Sequence, residues 1–161
     1  MTPPSLPHSL SAFWQSFAAS HGEAVDGRFY EAFHFSDNEQ DARELAALVL
    51  AGTKRATASL LRSYEQSGQP LPYSGALSIV TNWAGEPVCV IETITVDVLP
   101  FDSVPASFAA EEGEGDRSLG WWRDAHWRYF SRACRSHGYE PSATMPVVCE
   151  RFRVVHVHGQ R

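Results

Sequence analysis

The chain has 161 residues, of which 43% are apolar and 20% charged, and this predicts one globular domain able to bury its own core. A formal net charge of −6 argues against a protein that binds extended duplex DNA, but a small or single-stranded ligand remains open. No run approaches the ~20 apolar residues of a membrane span, and no secretory leader is visible. We therefore expect a cytoplasmic protein without a membrane partner.

The first third of the chain predicts two helices around one strand. Residues 1–8 are rich in proline and polar side chains and are predicted to be a mobile tail, leaving 9–161 as a single domain. Apolar residues at helical spacing predict a first helix over 9–22, and an aromatic, roughly alternating run predicts a strand over 27–35. A capping box at Ser36 and a terminal Gly52 predict a helix over 37–51.

The rest of the chain is rich in strands. The runs "ALSIVTNW" and "PVCVIETITVDVL", separated by "AGE", predict a hairpin, and "MPVVCERFRVVHV" predicts a closing strand. Between them, an acidic loop over 111–118 leads into a long amphipathic helix that Ser118 or Asp116 can cap. Because the order shows no regular βαβ rhythm, we predict an α+β fold, a small β-barrel flanked by helices.

Lys54 is the only lysine, against twelve arginines, and it follows the predicted end of a helix. A lysine can lose its proton when desolvated and then act as a base, which an arginine cannot do. Thr57 lies three residues further on, and a hydroxyl beside a basic amine is one known form of activated nucleophile. The alternative for Lys54 is a cation attracted by the partial negative charge at the helix C-terminus, which contributes ~0.3 to 1 kcal/mol of stability. The alternative for Thr57 is a β-branched residue that starts a strand.

The acidic loop and the arginines each allow two interpretations. The carboxylates of the loop either form a solvated surface or turn one group into a cleft, where it could orient a lysine or move a proton. Arginines on the long helix and the last strand either form a solvated face or border a groove for phosphates. Four aromatic residues could stack on bases or pack in the core. The residues concerned are Glu111, Glu112, Glu114 and Asp116; Arg128, Arg132, Arg135, Arg151 and Arg153; and Tyr30, Trp83, Trp121 and Trp122.

Metal and redox chemistry have little support in the sequence. Cys89, Cys134 and Cys149 are odd in number and far apart, which predicts buried, reduced thiols. His156 and His158 share one strand face but do not complete a ligand set. We find no P-loop, dinucleotide-binding or H-E-x-x-H motif, and we predict neither a metal nor a cofactor.

The chain resembles the ASCH domain family, in its longer bacterial form, over roughly residues 28–155. The resemblance rests on a G-x-K-x-x-T motif in "LVLAGTKRAT", the strand "VCVIETITV", the segment "AAEEGEGDRSLGWWRDAHWRYF" and the closing "VVCERFRVV". It implies a PUA-like β-barrel with a cleft that binds RNA or a modified nucleoside. Some members of the family resemble amidohydrolases that deacetylate acetylated cytidine with a lysine, a threonine and a glutamate, and another is reported as a ribonuclease.

Carried onto this sequence, the resemblance implies Lys54 and Thr57 as catalytic residues, with either Glu114 or Glu112 as the glutamate. Lys54 would activate or position Thr57. Three hypotheses are consistent with the sequence: an amidohydrolase on an acylated pyrimidine nucleoside, an RNA-binding protein with or without ribonuclease activity, and a non-catalytic PUA-like reader. The predicted substrate contacts are Arg55, Asp116, Ser118, Arg128, Arg132, Tyr30 and Trp122.

Overall fold

The structure is a computed structural model that describes residues 5–21 and 24–159. In this part of the chain, five helices and three short 3-10 turns surround one five-stranded sheet. The strands are β1 Phe29–Phe33, β2 Ala56–Leu60, β3 Leu77–Thr81, β4 Pro87–Pro100 and β5 Pro146–Val157. The helices are α1 Ser11–His21, α2 Glu39–Leu50, α3 Leu61–Ser67, α4 Ala106–Glu112 and α5 Leu119–Ser136, and the turns are His8–Leu10, Asp26–Arg28 and Phe101–Ser103.

The sheet has the strand order β1-β3-β4-β5-β2, in which only β1 and β3 run parallel. The predicted hairpin is the antiparallel pair β3 and β4. Two register shifts bend the long β4 against β5, as bulges do. Among the described strands, β1 and β2 remain the two edges, so the sheet is open. The mixed α+β class is confirmed, whereas closure into a small barrel is not.

The helix predicted over 37–51 is α2, and its cap differs from the prediction. The side chain of Asn38, not that of Ser36, accepts a hydrogen bond from the backbone N–H of Asp41 at 2.8 Å. Ser36 instead adopts a left-handed φ of 64°, so it cannot serve as the extended N-cap residue. Gly52 has a φ of 78° and ends the helical segment as predicted.

Two helices of seven residues each, α3 and α4, were not predicted from the sequence. The acidic segment predicted as a loop over 111–118 therefore starts inside a helix, with Glu111 and Glu112 in the last turn of α4. Residues 1–4 of the predicted tail and residue 22 of the predicted first helix lie outside the described residues. Within the remainder of that tail, Leu6 packs against the core of α1.

Three apolar clusters hold the helices against the sheet. One joins α1 to β3 and β4, a second joins α2 to β3, β4 and β5, and a third packs α4 and α5 against β2 and β5. All three cysteines are buried free thiols, as predicted. None of the helices in the described ranges is long and apolar enough to cross a membrane.

Candidate functional site

The ammonium group of Lys54 is buried, with 2% of the residue exposed, although lysine is among the residues least often found inside a protein. Its Nζ donates to the carbonyl oxygen of Ala56 at 2.8 Å, to Oε1 of Glu112 at 3.2 Å and to Oε2 of Glu114 at 3.1 Å. A protonated lysine has three N–H donors, so every donor has an acceptor. Lys54 is therefore held as a fixed cation next to the start of strand β2, where Thr57 follows Ala56.

A close approach of two backbone segments brings the glutamates to Lys54. The N–H of Arg55 donates to the carbonyl oxygen of Glu111 at 2.8 Å, which ties the end of α4 to the segment after α2. Gly113 has a φ of 71°, and a Cβ atom there would lie 2.3 Å from the carbonyl oxygen of Thr53. Only glycine fits this position, since both the conformation and the space exclude a side chain. Glu112 and Glu114, on either side of Gly113, thus reach Lys54.

Glu112 is the buried anion at the centre of the cluster. Besides Lys54, it accepts hydrogen bonds from the indole N–H of Trp122 and from Nε2 of His126 at 2.9 Å. The other ring nitrogen of His126 lies 2.9 Å from the carbonyl oxygen of Trp122. Both ring nitrogens of His126 thus face acceptors. The protonated imidazolium carries a hydrogen on each nitrogen and can donate to both. Burial by itself would lower the pKa of His126, but the attraction of Glu112 raises it above its ordinary value.

The balance of burial and charge differs between the two glutamates. Burial raises the pKa of both, but the charges of Lys54 and His126 overcome it at Glu112 and hold that pKa below its ordinary value. At Glu114, burial together with repulsion from Glu112 outweighs the attraction of Lys54, and the pKa is raised. Glu114 is also half-buried and lines a cavity. It is therefore the carboxyl of the cluster best suited to exchange a proton with a ligand.

The pKa of Lys54 is raised, because the two carboxylates outweigh the effect of burial, which would lower it. A catalytic base needs the opposite shift, toward neutral pH. The predicted role of Lys54 in activating Thr57 as a base therefore has no support in this arrangement. The role that the contacts favour is that of a permanent positive charge.

The cluster opens into a cavity of about 570 Å³, within the range of ligand sites in proteins. Thr57 lines this cavity together with Lys54, Glu112 and Glu114. The two helix arginines of the prediction, Arg128 and Arg132, lie in the wall as well. The wall carries six carboxyl groups and three lysine or arginine side chains, Glu31, Asp41, Glu44, Glu112, Glu114 and Glu150 against Lys54, Arg128 and Arg132.

Three of the predicted substrate contacts lie outside this wall. The side chain of Ser118 caps α5 by accepting from the N–H of Trp121 at 3.1 Å. Asp116 accepts from the N–H of Ser118 at 2.8 Å and so supports the same cap. Arg55 is exposed and does not line the cavity, although its backbone N–H bonds to Glu111 next to the site. These three residues contribute to local structure, and their predicted contact with substrate has no support from the cavity wall.

Tyr30 and Trp122, which were also predicted to contact substrate, are buried and do not line the cavity. Trp122 is 1% exposed and its ring stacks on that of His126 at a centroid distance of 4.2 Å. Tyr30 is 3% exposed and donates its hydroxyl to the carbonyl oxygen of Pro70. The aromatic residue of this helix that does line the cavity is the neighbouring Trp121, which packs over Gly115.

Glu31 and Glu150 also lie in the cavity wall, and neither was predicted from the sequence as a site residue. Each is the single carboxylate of its strand, "FYEAF" for Glu31 and "PVVCERFRVVHV" for Glu150. Burying an unpaired carboxylate in an apolar core is costly, so a carboxylate in each strand indicates that one face of the strand borders a polar cleft.

Glu112, Glu114 and His126 offer three ligand atoms that lie within 4.8 Å of one another, a spacing compatible with a metal ion. These three side chains already form hydrogen bonds or ion pairs within the cluster, and the Lys54 ammonium bonds to both carboxylates. A divalent cation would have to displace that ammonium. The two carboxylates and the histidine are thus better suited to the Lys54 ammonium than to a metal ion.

Replacing His126 with glutamine is expected to lower stability most at acidic pH. The pKa of His126 is raised by folding, so its contribution is fully present below the unfolded value of about 6.5 and is lost as pH rises through the higher folded value. Urea unfolding of both proteins at about pH 6 and about pH 9 measures this difference. An equal loss of stability at both pH values contradicts a charged His126.

Comparison with known proteins agrees with this architecture. The family model described as "ASCH domain" matches residues 31–156. A crystal structure of an ASCH domain from Lactobacillus crispatus JV V101 aligns with a TM-score of 0.85 and 38% identity, covering 94% of this chain and 97% of that chain. A protein from Enterococcus faecalis V583 aligns with a TM-score of 0.86 and 28% identity, covering 94% and 90%. No curated protein matches the sequence.

Proposed function

The chain belongs to the ASCH domain family, and we propose that it hydrolyses the amide bond of an N-acylated pyrimidine nucleoside, such as N4-acetylcytidine. One observation carries this proposal: the buried Lys54 ammonium, bonded to Glu112 and Glu114, lies in the wall of a cavity that the Thr57 hydroxyl also lines. A nucleophile, a fixed positive charge and a protonatable carboxyl therefore surround one space large enough for a nucleoside.

The proposed reaction has two stages. The Thr57 oxygen attacks the acyl carbon and loses its proton, and the carbonyl π electrons move onto the oxygen, whose negative charge is stabilised by Lys54. The carbon–nitrogen bond then breaks, and the protonated Glu114 supplies a proton to the departing exocyclic nitrogen. Water next attacks the acyl ester on Thr57, which releases the carboxylic acid and returns the proton to the threonine oxygen.

The charges of the cavity wall favour a neutral nucleoside over a polymer. Six carboxyl groups outnumber the four cationic side chains of the wall, Lys54, Arg128, Arg132 and the protonated His126. One of those arginines, Arg132, is engaged by Asp37 at 3.3 Å. A phosphodiester brought into this space would meet more like than opposite charge. The two arginines therefore support RNA cleavage less strongly than Lys54, Thr57 and Glu114 support amide hydrolysis.

A substrate panel tests the proposed function. The protein is incubated, with chelator, with N4-acetylcytidine, its 5′-monophosphate, and an unmodified RNA oligonucleotide, and the products are separated by chromatography. We expect release of cytidine, a value of kcat/KM for the nucleoside at least about tenfold above that for the monophosphate, and little dependence on salt. Cleavage of the RNA with a steep salt dependence supports a ribonuclease instead. Binding of the nucleoside without turnover supports a reader.

A further inference from the structure

The proposed reaction requires a group that accepts the Thr57 proton, and Lys54 does not supply it. All three N–H donors of Lys54 are directed at Ala56, Glu112 and Glu114, and none is directed at Thr57. Glu112 is fully engaged by Lys54, Trp122 and His126. The proton acceptor must therefore come from another part of the cavity wall.

Glu150 lies directly across the sheet from Thr57. The two residues are paired in the antiparallel ladder of β2 and β5, and both line the cavity. Residues opposite one another in such a ladder project from the same face, with Cβ atoms about 4.5–5.5 Å apart. The side chains of Glu150 and Thr57 are therefore neighbours in the same wall of the cavity.

A hydrogen bond from β4 orients the Glu150 carboxyl. Oγ1 of Thr93, which is itself buried, donates to Oε1 of Glu150 at 2.6 Å. Within the described residues, the second oxygen, Oε2, makes no hydrogen bond and Glu150 forms no ion pair. One carboxyl oxygen is fixed and the other remains available to a neighbouring hydroxyl or to water.

The surroundings of Glu150 suit a group that gains and loses a proton near neutral pH. Burial and the nearby Glu31 on β1 raise the pKa of Glu150 to about 7, against the opposing effect of the Thr93 hydrogen bond. The other titratable groups facing it are Tyr30 on β1 and Tyr64 on α3, whose pKa values are raised by burial and by their acidic neighbours. Both tyrosines are neutral over the pH range of interest. Across the cavity, α5 contributes Arg128 and Arg132.

We propose that Glu150 is a further catalytic residue of this site, the general base that takes the hydroxyl proton of Thr57 as the threonine oxygen bonds to the acyl carbon. Once the amine has left, Glu150 gives the threonine proton to solvent and Glu114 regains a proton from solvent. In the second stage, the Glu150 carboxylate takes a proton from the attacking water and passes it to the threonine oxygen as the acyl–oxygen bond breaks. No oxidant, reductant or metal is required. This inference rests on the proposed function and assigns the one proton transfer that the Lys54 cluster leaves open.

Three substitutions test the role of Glu150 through the pH dependence of kcat/KM for N4-acetylcytidine. Glu150→Gln keeps the shape of the side chain and its bond from Thr93, and is expected to reduce kcat about 10²- to 10⁴-fold and to remove the acidic limb of the profile. Thr93→Val removes a hydrogen bond that lowers the pKa of Glu150, so the acidic limb should move to higher pH. Glu31→Gln removes a repelling charge, so the limb should move to lower pH.

The outcomes separate this inference from the proposed function. Opposite shifts in the Thr93→Val and Glu31→Gln proteins, with nucleoside binding retained by Glu150→Gln, support Glu150 as the base. Turnover by the wild-type protein, together with an unchanged rate and acidic limb in Glu150→Gln, overturns the role of Glu150 alone. A wild-type protein that hydrolyses no acylated nucleoside overturns the proposed function and the base assignment with it.

Discussion

Replacing Lys54 with methionine is expected to lower the free energy of unfolding by about 3–5 kcal/mol, the range typical of removing one partner of a buried ion pair. Methionine fills much of the same volume, so the loss comes chiefly from charge. Without the ammonium, the 1%-exposed Glu112 and the half-buried Glu114 face each other with only His126 to balance them. Urea denaturation at neutral pH measures the effect.

A matched control and a rescue distinguish this effect from a general loss of positive charge. Arg55→Met removes a cation from the next residue, which is exposed, and should change stability by no more than about 0.5 kcal/mol. Adding Glu114→Gln to Lys54→Met should recover part of the loss, because one of the unpaired carboxylates is then neutral. A Lys54→Met protein as stable as the Arg55→Met protein contradicts the buried ion cluster.

Replacing Thr57 with valine is expected to reduce kcat on N4-acetylcytidine by at least about 10³-fold, because loss of a nucleophile removes covalent catalysis as a whole. Valine has nearly the same shape and β-propensity, so β2 should fold unchanged. Thr57→Ser keeps an attacking oxygen and should retain far more activity. Thr95→Val makes the same substitution on the exposed part of β4 and should leave the rate unaltered. A Thr57→Val protein with near wild-type turnover would show that water attacks the amide directly.

Much of the fold could be predicted because its elements are long. The helical periodicity of 37–51 and the β-rich runs of the hairpin and of β5 are strong local signals, and α2, β3, β4 and β5 follow them. By contrast, α3 and α4 have seven residues each, too few to show a period above chance. Closure of the sheet into a barrel would require β1 to pair with β2, and the sequence of neither strand shows whether the two pair.

The candidate site could be predicted only in part. The contact between Lys54 and Glu112, 58 positions away, could be predicted only from the family resemblance, because no local sequence pattern links the two segments. The confusion of Trp122 with Trp121 has a physical cause: neighbouring helix residues point about 100° apart, and tertiary packing on Phe101 and His126 decides which one is buried. The position of Glu150 could not be predicted from the sequence, because it is the register of β5 against β2 that pairs Glu150 with Thr57.

The central claim is that the cavity at Lys54 binds an acylated nucleoside with its acyl carbon at Thr57. A crystal structure of the Thr57→Val protein, soaked with N4-acetylcytidine, tests it most directly because this variant should bind the substrate without consuming it. We predict the nucleoside inside the cavity, the acyl carbon about 3–3.5 Å from the side chain at position 57, and the acyl oxygen toward Lys54. An empty cavity at saturating nucleoside, or a nucleoside bound elsewhere on the protein, would contradict the account.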